Sequence, residues 1–179
     1  NIDLIVIPTP NDTHFPLAKA ALEAGKHVVV DKPFTVTLSQ ARELDALAKS
    51  LGRLLSVFHN RRWDSDFLTV KALIGEGTLG EVAYFESHFD RFRPQVRNRW
   101  REQAGPGSGI WYDLAPHLLD QAVNLFGLPV SMTVDLAQLR PGAQATDYFH
   151  AVLSYPQRRV VLHGNMLAAA ESARYIVHG

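Results

Sequence analysis

Three valines in a row, Val28, Val29 and Val30, stop at Asp31-Lys32-Pro33. A strand with one wet face alternates apolar and polar residues, whereas an unbroken β-branched run is expected to be buried on both faces. Burial of that kind needs helices over the sheet, so the run points to a parallel sheet of α/β build. Asp31, Lys32 and Pro33 then stand at the carboxyl end of the strand, where open α/β sheets bind their ligands. On these residues alone Lys32 reads two ways. It is a ligand-facing ammonium steadied by a carboxylate, or half of an ion pair that closes a strand before a turn.

The rest of the first third has the same rhythm. A strand over Asp3–Ile7 leads through Pro8, Thr9, Pro10 and Asn11 into a helix expected over 12–24, with Phe15, Leu17, Ala18, Ala21 and Leu22 at helical spacing. Gly25 is its stop, and the valine strand follows over Lys26–Asp31. Thr37 caps a helix over Leu38–Leu51, with Gln40 three residues on as in a capping box, and a strand over Leu54–Phe58 comes next. Strands alternating with helices of this length are βαβ units.

Beyond Asn60–Asp64 the pattern changes. Helices over Ser65–Ile74 and Tyr112–Phe126 are interspersed with strands over Glu81–Phe92, Val130–Leu139, Asp147–Tyr155, Arg159–Leu167 and Ser172–Val177. Period-two patterning suits a mostly antiparallel sheet with a helix on one face. The fold class is therefore α/β: part of a Rossmann dinucleotide-binding domain over 1–60, then an α+β domain with an open sheet over 61–179. The strands at the two ends, beginning at Asp3 and finishing near Gly179, have no run-up or continuation, so the chain is expected to be part of a longer one.

Composition narrows the function classes. Eighteen basic residues balance eighteen acidic ones, which argues against a dedicated binder of nucleic acid or anionic membrane. With no cysteine, disulfides, thiolate catalysis and thiolate-bound metals are excluded, and a cytoplasmic location fits. No apolar run is long enough to span a bilayer, so no membrane partner is expected.

The second chemical feature is Asp113-Leu114-Ala115-Pro116-His117, which follows Gly105-Pro106-Gly107-Ser108-Gly109. Asp113 and His117 are four apart and share a helix face. A carboxylate beside an imidazole raises its proton affinity and can fix its ring, which suits acid–base work near neutral pH. Pro116 is expected in the first turn, where amides lack helical partners. The pair alone also reads as a helix-surface contact, with Asp113 complementing the dipole and His117 packed on the sheet.

Taken together, Thr9-Pro10-Asn11-Asp12-Thr13-His14, Gly25 to Pro33 and Gly107 to His117 resemble the glucose–fructose oxidoreductase, inositol dehydrogenase and MocA family of NAD(P)-dependent sugar oxidoreductases, over essentially all 179 residues. The family usually has Glu where this chain has Asp31, one methylene shorter with the charge kept. The resemblance implies hydride transfer between NAD or NADP and a secondary alcohol of a sugar, cyclitol or related polyol, with Lys32, Asp113 and His117 as the catalytic set. Thr9, Pro10, Asn11, His14, Asp31, Lys32 and Pro33 would line the cofactor. It also implies a homodimer or higher assembly through the second-domain sheet. The same build serves non-catalytic regulators and NAD-assisted glycosidases, so those remain alternatives. The resemblance places the Gly-rich phosphate fingerprint upstream of Asn1, so this segment by itself is expected to bind NAD(P) weakly or not at all.

Three further residues are substrate candidates: Asn60 as a hydroxyl partner, Trp63 as a stacking surface and Tyr112 beside Asp113. Each also reads as ordinary packing or solvated surface. The loop from Arg91 to Arg101 carries five arginines with Phe92 and Trp100 and reads as a lid over a polar ligand or as a salt-bridged loop. Nucleic-acid binding by it is disfavoured by the neutral charge. Of eight histidines, His88, His117 and His163 are the set that could converge, but no ligand spacing supports a metal, and none is expected.

Overall fold

The computed structural model describes residues 2–170 and 172–179; Asn1 and Glu171, which fall within the two expected domains, lie outside the described residues. The chain separates into two compact units, one running to His59 and joined by Gly105–Gly107, the other made of Asn60–Ala104 and Ser108–Gly179.

In the first unit β1 (Leu4–Ile7), β2 (His27–Asp31) and β3 (Leu55–Phe58) form a parallel sheet in that order. Helices α1 (His14–Glu23) and α2 (Leu38–Ser50) connect them. Ala18 and Leu22 of α1 and Leu44 and Ala48 of α2 pack with Ile7, Val28 and Val30 into one core. Both helices thus cover the same face. Leu4 and Val6 point the other way and are 48% and 60% exposed, and Val29 is only half-buried. Burial on both faces, expected from the valine run, is met on one face among the described residues.

Thr37 caps α2 as expected, its hydroxyl accepting from the Gln40 amide at 3.3 Å. The reciprocal half of the capping box is absent: Gln40 Oε1 has no donor among the described residues.

In the second unit α3 (Ser65–Gly75) precedes β4 (Tyr84–Asp90), and α4 (Gly109–Phe126) precedes β5 (Ser131–Ala137), β6 (Tyr148–Ser154), β7 (Arg159–Asn165) and β8 (Tyr175–His178). The sheet order is β5-β6-β7-β4-β8. Every pairing is antiparallel except β4 with β7. Leu114, Leu118 and Ala122 of α4 bury against Phe85, Phe149, Ala151, Leu153, Val160 and Leu162. At ~25 cal/mol per Å² of apolar surface removed from water, such a cluster dominates the unit's stability.

Helix α4 starts at Gly109, three residues before the expected Tyr112, and Pro116 is therefore in its interior. The early start follows from a close approach. Gly109 has φ +83°, and a Cβ there would lie 2.8 Å from the Thr146 backbone. Ile110 N donates to Thr146 O at 2.8 Å, and the Ile110 side chain is buried. Pro116 has no N–H to return to Tyr112, a loss that the packed core around Leu114 and Leu118 tolerates. No described helix is long and apolar enough to cross a membrane.

Candidate active site

The first group of candidate residues stands at one edge of the first unit. Ile7 and Val30 are register partners in parallel strands, so the turns that follow them emerge on the same edge. Asn11 begins a short 3-10 turn, and its buried side-chain Nδ2 donates to Gly107 O at 2.8 Å. That contact needs Gly107 to lack a side chain, because a Cβ there would sit 2.7 Å from Val36 Cγ1 and 3.0 Å from Asn11 Cβ. Thr13 Oγ1 lies 2.6 Å from both Thr9 Oγ1 and Pro10 O, which tightens the turn.

At the end of β2, Asp31 Oδ1 accepts from the Lys32 amide at 2.8 Å. Asp31 and Lys32 are half-buried, Pro33 is buried, and the Lys32–Pro33 peptide is cis. His14 is wholly buried: Nδ1 is 2.8 Å from Pro33 O and Nε2 is 2.9 Å from Thr9 O. Thr9, Pro10, Asn11, His14, Asp31, Lys32 and Pro33 are thus one connected cluster, with Gly107 a member that the sequence reading missed. The signal for it was the Gly-rich run before α4.

The second group belongs to the second unit. Asp113 and His117 lie one turn apart on α4. His117 is 6% exposed and meets the ring of Phe89 edge-on at 6.4 Å between centroids. Arg101 Nε approaches Asp113 Oδ1 to 3.6 Å, and the Arg101 guanidinium stacks on Trp100. Arg91 is also within electrostatic range of Asp113. Burial, then the charges of Arg93 and other arginines, lowers the Arg91 pKa, while Asp113 opposes that shift. Asp113 is therefore a carboxylate close to guanidinium groups. Tyr112 is half-buried beside it. Asn60 and Trp63 bracket a 3-10 turn and are exposed, Trp63 by 74%. A cavity of about 370 Å³ lies by His88, Phe89, Arg91, Phe92, Ser172 and Arg174, and is lined by none of Asn60, Trp63, Tyr112, Asp113 and His117.

The arginine-rich loop is salt-bridged. Glu102 is buried and takes Arg99 at 2.7 Å, Arg140 at 3.0 Å and the Arg97 amide at 3.0 Å. Burial resists its ionisation, but these donors and charges outweigh burial and hold its carboxyl below the usual carboxylate range.

The histidines separate by strand face. His88 and His163 are register partners with rings 5.4 Å apart, and His150 joins them at 5.5 Å from His163. Their neighbours are Glu86 and Asp90. Burial lowers the His163 pKa, and Asp90 opposes that shift. His117 packs instead against Phe89, which alternates with His88 along β4 and so points to the opposite face. The trio His88, His117 and His163 does not converge. Among the described residues no set of three or more His, Asp or Glu could hold a metal ion.

Residues 1–59 match the profile described as oxidoreductase family, NAD-binding Rossmann fold, and residues 71–179 match the profile described as oxidoreductase family, C-terminal alpha/beta domain. The chain belongs to the Gfo/Idh/MocA oxidoreductase family. Its fold is accordingly a Rossmann-like NAD-binding part with a C-terminal α/β domain. Among family members, Uncharacterized oxidoreductase YdgJ of Escherichia coli (strain K12) is 92% identical over 179 residues, covering 100% of this chain and 52% of that protein. The scyllo-inositol 2-dehydrogenase (NADP(+)) IolW of Bacillus subtilis (strain 168) is 42% identical, covering 99% of this chain and 50% of that protein. A solved NAD-binding protein from Listeria innocua superposes with TM-score 0.93 at 32% identity, covering 99% of this chain and 52% of its own. The chain spans about half the length of the curated relatives it matches.

Proposed function

We propose that this chain is part of an NAD(P)-dependent oxidoreductase that transfers a hydride between nicotinamide and a secondary alcohol of a sugar, cyclitol or related polyol. What carries the reading is the presence of Lys32 after β2 together with Asp113 and His117 one turn apart on α4. Oxidising a carbinol requires loss of its hydroxyl proton as well as its hydride, and an ammonium, a carboxylate and an imidazole are the groups that chemistry needs. The 42% identity to a scyllo-inositol 2-dehydrogenase supports a polyol as the substrate class.

The turns at the ends of β1 and β2 suit a planar ring, since Pro10 is exposed and Thr9, Asp31 and Lys32 are half-buried around it. When bound, the nicotinamide supplies the hydride acceptor. Lys32 then stabilises negative charge developing on the alcohol oxygen, and His117 takes the proton. Asp113 favours the protonated imidazole and keeps the ring oriented. Thr9, Pro10, Asn11, Asp31 and Pro33 shape the cofactor edge, and Asn60, Trp63 and Tyr112 serve the polyol. Residues 1–60 form the cofactor part of a cytoplasmic enzyme, and residues 61–179 form the substrate part, whose open sheet face joins a second copy.

The test is a panel of polyols with NAD⁺ and NADP⁺, followed at the reduced-nicotinamide absorbance band with the full-length protein. Reduction with at least one polyol is expected. His117→Ala is expected to lower kcat by ~10²–10⁴ while cofactor binding persists. No reduction across the panel, or unchanged turnover in the variant, overturns the reading.

A further inference from the structure

One guanidinium beside Asp113 and His117 has no carboxylate of its own. Phe85 meets Phe126 at 5.4 Å between ring centroids and Phe89 meets His117 at 6.4 Å, so β4 advances as α4 recedes. Alternation keeps Phe85, Phe89 and Arg91 on one side of the strand path, which the Arg91 amide extends by donating to Asn165 O at 2.8 Å. Two strand residues cover about 6.6 Å and one helical turn about 6 Å, so the step from Phe89 to Arg91 matches the step from His117 back to Asp113. Asp113 is accordingly a charge that attracts Arg91.

The other arginines nearby are already engaged. Arg61 pairs with Asp64 at 2.7 Å, Arg99 with Glu102 at 2.7 Å and Arg101 with Asp113 at 3.6 Å. Arg174 donates to Ser87 Oγ, His88 O and Gln121 Oε1, and its guanidinium lies over the ring of Phe89. The Arg91 side chain makes no hydrogen bond or ion pair among the described residues. It is half-buried in the wall of the 370 Å³ cavity, together with Phe89, Phe92 and Arg174. Burial, then Arg93, lowers its pKa against the pull of Asp113, and Arg61 and Arg99 add to the repulsion. The cavity's own carboxylate, Asp90, accepts from Ser172 and lies beside His88 and His163 on the other face of the strand.

A half-buried cation among like charges is costly to keep unpaired. Its fixed fork of N–H donors matches the paired oxygens of a carboxylate or phosphate. Phe89 links the two places, because its ring meets His117 and also lines the cavity. We propose that Arg91 is a substrate-binding residue that selects polyols whose anionic group, a carboxylate or a phosphate, reaches this cavity while the carbinol stands at His117. The assignment rests on the polyol oxidation proposed above and names which polyols the site takes.

The test uses the full-length protein with neutral polyols and their anionic counterparts: glucitol against gluconate and glucitol 6-phosphate, and myo-inositol against its monophosphate. Turnover is followed at the reduced-nicotinamide band, and calorimetry with NADH or NADPH bound reads affinity without turnover. An anionic member is expected to exceed its neutral counterpart by ~10–10²-fold in kcat/KM and in affinity, the scale of a hydrogen bond to a charged group. Whether gluconate or the phosphates prevail identifies the group as carboxylate or phosphate. Arg91→Met is expected to bring the ratio of anionic to neutral substrate towards one, and Arg91→Lys to keep part of it. Equal values for neutral and anionic polyols in the wild type, or an unchanged ratio in folded Arg91→Met, overturn the proposal. Arg91-dependent binding of the anionic polyols without any nicotinamide reduction supports the anion site and overturns only the redox reading.

Discussion

Arg140 Nε lies 2.9 Å from Asp147 Oδ2, and both side chains are almost wholly buried, at 2% and 1% exposure. Asp147 also accepts from the amides of Leu139 and Arg140, and Arg140 reaches the carbonyls of Arg93 and Gln95. One buried pair therefore holds the arginine-rich segment to the strand end of β6. Replacing Arg140 by Met leaves Asp147 and Glu102 as buried carboxylates short of their cation. A loss of about 3–5 kcal/mol is expected in urea unfolding. Asp147→Asn keeps an acceptor for the Leu139 amide and is expected to be milder, so equal losses in the two variants would contradict this account.

Lys32 and Asp113 are expected to respond differently to charge removal. Lys32→Met removes the group proposed to stabilise the alcohol oxygen, and kcat is expected to fall by ~10²–10⁴. Asp113→Asn keeps the shape but weakens the support for a protonated His117. A smaller loss is expected, and the pH needed for half-maximal kcat/KM stays put only if Asp113 does not set the histidine's proton affinity. The expected outcome is a shift to lower pH, because losing the carboxylate lowers the imidazole's affinity for a proton. Steady-state pH profiles in both directions of the reaction decide it.

At alkaline pH the tyrosines of the second unit should weaken the fold. Burial, opposed by Arg174, pushes Tyr175 up to about 12. The hydrogen bond to Glu86, then burial, pushes Tyr84 up to about 12. Unfolded tyrosine titrates near ~10. Between these values the unfolded chain has released protons that the folded one keeps, so the unfolding free energy falls as pH rises. The stabilisation is complete below ~10 and is lost as pH passes about 12. Urea unfolding across that window should show the decline, and Tyr175→Phe should flatten it. An unchanged slope would mean that Tyr175 titrates alike in both states.

Much of this architecture was legible because it is local. Thr37 caps where a hydroxyl precedes a helix, and the positive-φ Gly25 and Gly52 end α1 and α2. What the pattern missed is long-range. Nothing in the spacing of Tyr84, Glu86 and His88 says that β4 pairs in parallel with β7, because period two is common to both kinds of ladder. Pro116 misled the helix start, since tolerance of an interior proline comes from packing around Leu114 and Leu118. At the candidate site, Lys32, Asp113 and His117 stood out as chemical types in suggestive places. The partners of Asn11 and His14, 96 and 19 residues away for the buried bonds to Gly107 and Pro33, could not be seen without coordinates.

The excursion of Gly105–Gly107 into the first unit has a bearing on biosynthesis and on dissection. A ribosome that has released the chain only as far as His59 has not yet delivered the carbonyl that satisfies the buried amide of Asn11. The nascent Rossmann half stays incomplete until nearly fifty more residues have emerged, and a truncation after His59 would carry that same unmet donor permanently.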